Sequence, residues 1–237
     1  MRRFYVGIGT LALMVVVGAD AQFPGFGRGG GPGGGIPNRK RDLVSQFDAD
    51  KDGKLNDVER AKAREYARTG DGYQPRFGNT PGTTAKSETK TTLEQDIAES
   101  RSNAVSADAG LYDETVLRTL YLRFPNDDWM QELSDFYHTE VDVPATLVVD
   151  GEVYRNVGVR FRGNSSYMAG QPDRKRSLNI TVDYDDKKQN LYGYRVLNLL
   201  NGNEDPTLVR EVLFNRIARD YIPAMRANFV RLVVNGD

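Results

Sequence analysis

The stretch from Asp48 to Glu59 leaves this chain the fewest structural choices. Asp48-Ala49-Asp50-Lys51-Asp52-Gly53-Lys54-Leu55-Asn56-Asp57-Val58-Glu59 places carboxylates at alternate positions, then a glycine, then a closing glutamate after five more residues. An acidic run of this kind belongs in a turn, and three carboxylates that close repel one another unless a cation sits between them. Before the loop, Leu43, Val44 and Phe47 fall at helical spacing, and after it Ala61, Ala63 and Ala67 do the same. Residues 39–68 therefore read as a helix-loop-helix built around an oxygen-rich turn.

The loop fits the D-x-D-x-D-G-x5-E pattern at every constrained position and resembles the EF-hand family over residues 39–68. Side chains of Asp48, Asp50 and Asp52 occupy loop positions one, three and five, and Lys54 offers its carbonyl. Asn56 stands at the often water-bridged ninth position, and Glu59 closes the loop through both carboxylate oxygens. Gly53 permits the sharp turn, and Leu55 reaches toward the small core between the helices. The expected metal is Ca2+. EF-hands usually pair, and Asp71-Gly72 is too little to be a second loop.

Several classes of chemistry are excluded at once. The chain has no cysteine, so disulfides, thiolate nucleophiles and cysteine-based metal sites are out. Its one histidine, His138, lies away from any nucleophile motif, which leaves no basis for a serine triad. A formal net charge of -1 gives no bulk attraction to nucleic acid, although Arg39-Lys40-Arg41 and Arg60, Lys62 and Arg64 are locally basic.

The N-terminus has a basic start at Arg2-Arg3, an apolar run from Phe4 to Val17, and a small-residue site at Ala19-Asp20-Ala21. That order predicts a Sec-type signal peptide over 1–21, too short to remain as a membrane span, and a secreted, periplasmic or cell-surface protein. Residues 22–38 are a Gly/Pro-rich flexible segment, and 69–92 read as a Gly/Thr/Ser/Pro linker. A second domain is expected over 93–237.

Within it, Leu93 to Arg101 suits a short polar helix, and Leu120, Leu122 and Phe124 alternate as in a strand. Asp127 and Asp128 offer an N-cap for a helix carrying Trp129, Leu133, Phe136 and Tyr137, and packing is the expected role of Trp129. Val143–Val149 and Val153–Phe161 read as two strands joined by Asp150-Gly151, a pair that tolerates positive φ at both positions. Another strand follows over Leu178–Tyr184, and Asp205-Pro206 is expected to start a helix lined by Leu208, Val209, Val212, Leu213, Ile217 and Tyr221. A strand through Phe229, Arg231 and Val233 runs into Asn235-Gly236, a hairpin turn for which a returning strand is expected past Asp237.

The stretch Val157 to Ser177 brings Arg162 into the turn Gly163-Asn164-Ser165-Ser166 and then into Arg174-Lys175-Arg176-Ser177. A fixed cation, two hydroxyls and turn N–H groups suit phosphate oxygens, and a plain hairpin with a polar turn is the alternative. Four blocks, Val157 to Ser166, Lys175 to Leu178, Leu191 to Leu199 and Asp205 to Glu211, together resemble the spore-coat CotH family of atypical protein kinases. The resemblance runs over residues 111–237 and implies an α+β fold: an EF-hand joined by a linker to an antiparallel-sheet, kinase N-lobe-like domain that is truncated. It implies ATP with Mg2+ or Mn2+, and transfer of phosphate to Ser or Thr of a secreted or surface protein. By position, Arg162, Ser165 and Ser166 would lie near the nucleotide phosphates, Lys175 or Arg176 would hold them, and Glu211 would orient that cation. The catalytic carboxylates are expected beyond Asp237, so the 237 residues alone are expected to be inactive. The alternative from another class is a non-enzymatic calcium-dependent surface or matrix binding protein.

Overall fold

The computed structural model describes residues 11–16, 42–69, 91–106, 108–163, 167, 175–202 and 205–236. The expected cleavage site, the spacer at 22–38, nearly all of the linker, and Ser165 and Ser166 lie outside the described residues. The described elements are β1 (Leu11–Val16), α1 (Val44–Phe47), α2 (Asp57–Thr69), α3 (Leu93–Ser102), β2 (Arg118–Arg123) and α4 (Trp129–Asp135). They continue with β3 (Val143–Val149), β4 (Glu152–Arg162), β5 (Ser177–Thr181), β6 (Val196–Leu200), α5 (Arg210–Ala218) and β7 (Arg226–Val234).

Six strands form a curled sheet in the order β6-β5-β4-β3-β2-β7, and the backbone of β1 pairs with both β6 and β7 to close it. The expectation of an antiparallel sheet needs correction. β2 and β7 run parallel, with Leu120 opposite Leu232, so the sheet is mixed. Alternation of apolar residues fixes which face a strand buries and carries no information about its direction.

The hairpin between β3 and β4 follows local chemistry. Asp150 and Gly151 take φ of 50° and 82°, the left-handed pair that matches strand twist. A Cβ on Gly151 would also stand 2.4 Å from Cγ of Arg101 on α3. Further along, Arg155 and Asn156 face the single residue Thr146, a β-bulge with Asn156 at φ 49°. That extra residue re-phases β4, so that Val157, Val159 and Phe161 enter the core while Arg160 and Arg162 take the opposite face.

One apolar cluster joins the inner face of the sheet to the helical segment. Leu120, Leu122, Leu147, Val159, Ile180 and Leu197 share it with Leu43, Leu55 and Ala63. Polar anchors reinforce the contact. Arg60 of α2 donates through Nε to Glu132 of α4 at 2.7 Å, with both side chains about 95% buried. Arg64 reaches Asp135 at 2.7 Å and Asp128 at 2.8 Å. Asp128, expected to cap α4, makes no side-chain cap bond there. Trp129 stacks on Phe124 with ring centroids 4.9 Å apart, which is packing, as expected.

On the outer face, α3 is fixed by a capping box between Thr92 and Gln95 and by Arg123, whose Nε donates to Asp96 at 2.8 Å. The last helix differs from expectation in two ways. It begins at Arg210, four residues after Pro206, and Leu213, Phe214 and Ile217 are 54%, 67% and 51% exposed. Its spacing is helical, but those apolar side chains face away from the described core.

Candidate functional site

Two regions collect the residues singled out by the sequence. The first is the acidic loop, entered by one helical turn, α1, and left by α2. Gly53 sits at φ 84°, and its N–H donates to Asp48 Oδ2 at 2.8 Å, while Lys51 N–H donates to Asp48 Oδ1 at 2.6 Å. Partial loss of water raises the Asp48 carboxyl, but these N–H groups together outweigh it and hold the group below its ordinary value. Asn56 accepts from the N–H of Val58 and Glu59, both at 3.1 Å, and so caps α2. Glu59 folds back over the loop, accepting from Ala49 N–H at 2.8 Å and Asn56 N–H at 3.0 Å.

Carboxylate oxygens of Asp48, Asp50 and Asp52 lie within 4.8 Å of one another. Two oxygens on opposite sides of a calcium ion, each at about 2.4 Å, stand about 4.8 Å apart, so the spacing fits a hard cation with oxygen ligands. Lys54 turns its side chain outward. Its ammonium donates to Asp185 at 2.8 Å and lies 5.4 Å from the ring of Tyr184, which in turn covers Gly158 of β4. The hydrogen bond from Lys54, then that from Asn156, lowers the Asp185 carboxyl.

The second region is the outer face of β4, β5 and β6. Cross-strand partners point to the same side of a sheet. Arg160 stands opposite Asn179, Arg162 opposite Ser177, and Asn179 opposite Asn198, which makes this face polar where the inner face is apolar. Asn179 donates to Asn198 at 2.9 Å, while its own carbonyl oxygen is buried without a partner. Asn201 accepts from the Ser177 hydroxyl at 3.1 Å and donates to the Lys175 carbonyl at 3.0 Å, pinning the chain where Lys175 enters the sheet.

The charges on this face are poised. Burial lowers the Arg162 guanidinium, and the charge of Glu211 on α5 works against that. Lys175 is half-buried, and loss of water lowers its ammonium. Arg176 is committed elsewhere. Its guanidinium lies 4.0 Å from the Tyr167 ring and 5.6 Å from the Phe161 ring, and it donates to the Tyr167 carbonyl at 2.9 Å. The charge of Glu211 thus reaches Arg162, and its Oε1 accepts from the Asn215 side-chain amide at 3.0 Å.

Ser177 and Asn198 fall within larger blocks of the sequence, but neither they nor Asn179 were assigned to the site there. The period of two in Ser177-Leu178-Asn179-Ile180-Thr181 was the clue that a polar face backs this strand.

The chain is thus an α+β protein whose curled mixed sheet carries a polar, cation-bearing face beside one helix. Residues 159–237, about a third of the chain, match the family described as CotH kinase protein. The match starts in β4 and takes in Arg162, Lys175, Arg176 and Glu211, and it supports a relationship to that family. No curated protein and no solved structure matches the chain.

Proposed function

We propose that this chain is the nucleotide-binding part of an exported CotH-like protein kinase, with a calcium-binding EF-hand docked against it. One observation carries the reading: within the family match, Arg162 and Lys175 are half-buried cations beside a polar sheet face, with Glu211 within electrostatic reach of Arg162. Half-buried cations without full compensation suit an anionic ligand, because the ligand restores the charge balance that burial has disturbed.

In this reading Arg162 holds phosphate oxygens through its planar fork, the charge of Glu211 helps keep the guanidinium protonated, and Lys175 adds a point charge. Ser165 and Ser166 supply hydroxyls to the same group. A divalent ion, Mg2+ or Mn2+, bound with the nucleotide would neutralise charge on the phosphates. The acceptor is Ser or Thr of a secreted or surface protein. At the acidic loop, Asp48, Asp50, Asp52, the Lys54 carbonyl, Asn56 and Glu59 would hold Ca2+ and fasten the loop to the sheet through Leu55 and Lys54.

Titration of a fluorescent ATP analogue with Mg2+ tests the nucleotide reading. Saturable binding that Arg162→Ala and Lys175→Ala each weaken supports it. Absence of binding, with the fold intact by circular dichroism, points to the non-enzymatic calcium-dependent surface protein, a reading favoured by the diversion of Arg176 onto Tyr167.

A further inference from the structure

The chain on either side of the phosphate-facing cations is braced from behind by α4. That helix ends at Asp135, with Leu133 and Phe136 buried in the core, and Tyr137 follows directly. The Tyr137 hydroxyl donates at 2.7 Å to the carbonyl of Gly163, the residue immediately after Arg162. The Tyr137 ring lies on that of Tyr167, with centroids 3.4 Å apart and planes 16° from parallel.

Arg176 completes the stack. Its guanidinium lies 4.0 Å from the Tyr167 ring, and Nη1 donates to the Tyr167 carbonyl at 2.9 Å. Phe161 of β4 meets Tyr167 at 5.7 Å. Tyr137 and Tyr167 are 6% and 5% exposed, whereas Arg162 and Lys175 are only half-buried. One buried stack therefore ties α4 to the chain at two points, Gly163 beside Arg162 and Arg176 beside Lys175.

We propose, on the phosphate reading above, that Tyr137 and Arg176 are positioning residues: through the Gly163 carbonyl and the Tyr167 ring they set Arg162 and Lys175 before an anion arrives. Arg176, placed by the sequence among the phosphate ligands, then acts from behind them. Two long cationic side chains lose freedom when a ligand orders them, and backbone fixed beforehand reduces that cost. The arrangement separates position from stability. Gly163 is exposed, so in Tyr137→Phe water takes the place of the hydroxyl on its carbonyl at little cost to the fold, while the tie between α4 and the end of β4 is lost.

Titration of a fluorescent ATP analogue with Mg2+ into the full chain tests this, paired with backbone 15N heteronuclear NOE measurements on the ligand-free protein. Tyr137→Phe is expected to weaken the analogue about fivefold, to lower the NOE at Gly163 and to leave the thermal midpoint within about 2 °C of wild type. Tyr167→Phe keeps the ring that Tyr137 and Arg176 cover and the carbonyl that Arg176 binds, so it is expected to match wild type. Tyr167→Leu removes the ring and is expected to weaken the analogue about tenfold. Wild-type affinity and an unchanged NOE in Tyr137→Phe, or equal losses in Tyr167→Phe and Tyr167→Leu, would overturn the proposal alone. A wild-type chain that binds no analogue would overturn the phosphate reading and this proposal with it.

Discussion

Truncating Arg60 should cost far more than an ordinary surface arginine, because its partner would be left charged and buried. Nε of Arg60 and Oε1 of Glu132 stand 2.7 Å apart, and the side chains are 5% and 4% exposed. At an effective dielectric near 20 their attraction is about 6 kcal/mol, and stripping water from the two ions costs a comparable amount, so the intact pair is close to neutral for stability. Arg60→Ala removes only the attractive half. Glu132 would keep one donor, Asn126 Nδ2 at 3.3 Å. The expected loss is about 3–5 kcal/mol, or roughly 10 °C in thermal midpoint for a chain of this size. Thermal unfolding followed by circular dichroism reads it directly. The double variant Arg60→Met with Glu132→Leu should recover most of the loss, since neither charge then remains buried. An Arg60→Ala protein melting within about 2 °C of wild type would refute the docking of α2 on α4 through this pair.

Other outcomes follow from the same structure. Glu59→Gln leaves one side-chain oxygen for the Ala49 and Asn56 N–H groups that Glu59 accepts with two and removes the closing charge, so calorimetry should show calcium binding weakened about tenfold or more; an identical isotherm would remove the loop as the calcium site. Gly151→Ala forces a left-handed residue beside Arg101 and should cost about 1–2 kcal/mol in urea unfolding. Lys54→Met should lose only a few tenths of a kcal/mol, because Asp185 is largely solvated, and the difference should vanish in high salt. The lowered Asp185 carboxyl contributes fully above its ordinary value of 3.8, and that contribution is lost as pH falls through its lower folded value. Tyr184, pushed up to about 12 by burial first and the charge of Asp142 second, has the opposite sign. Its stabilisation is whole below its ordinary value of 10.0 and is lost as pH rises toward 12, which ultraviolet titration of the tyrosines would follow.

Local chemistry was the legible part of the sequence. The Asp150-Gly151 turn and the phases of β3 and β4 follow from short-range rules that a few residues decide. Long-range choices were hidden. Nothing in the alternation of β7 says that it lies parallel to β2, because direction is fixed by the path of the chain between them. Arg60 and Arg64 read in the sequence only as locally basic, and the acidic residues of α4 opposite them give them their role. Arg176 looked like the equal of Lys175, and only the position of the Tyr167 ring separates them. The polar face of β5 was written in its period of two, but its meaning depends on Asn198 of β6 and on Asn201 just past the end of that strand.

The central claim, that the outer face of β4, β5 and β6 receives nucleotide phosphates, is tested most directly by NMR shift mapping with a non-hydrolysable ATP analogue and Mg2+. The account predicts that the largest shifts fall on the Arg162 guanidinium, the Ser177 amide and the side-chain amides of Asn179 and Asn198, and that Arg162→Ala reduces them. Shifts confined to the acidic loop, or none on this face at saturating analogue, would contradict it.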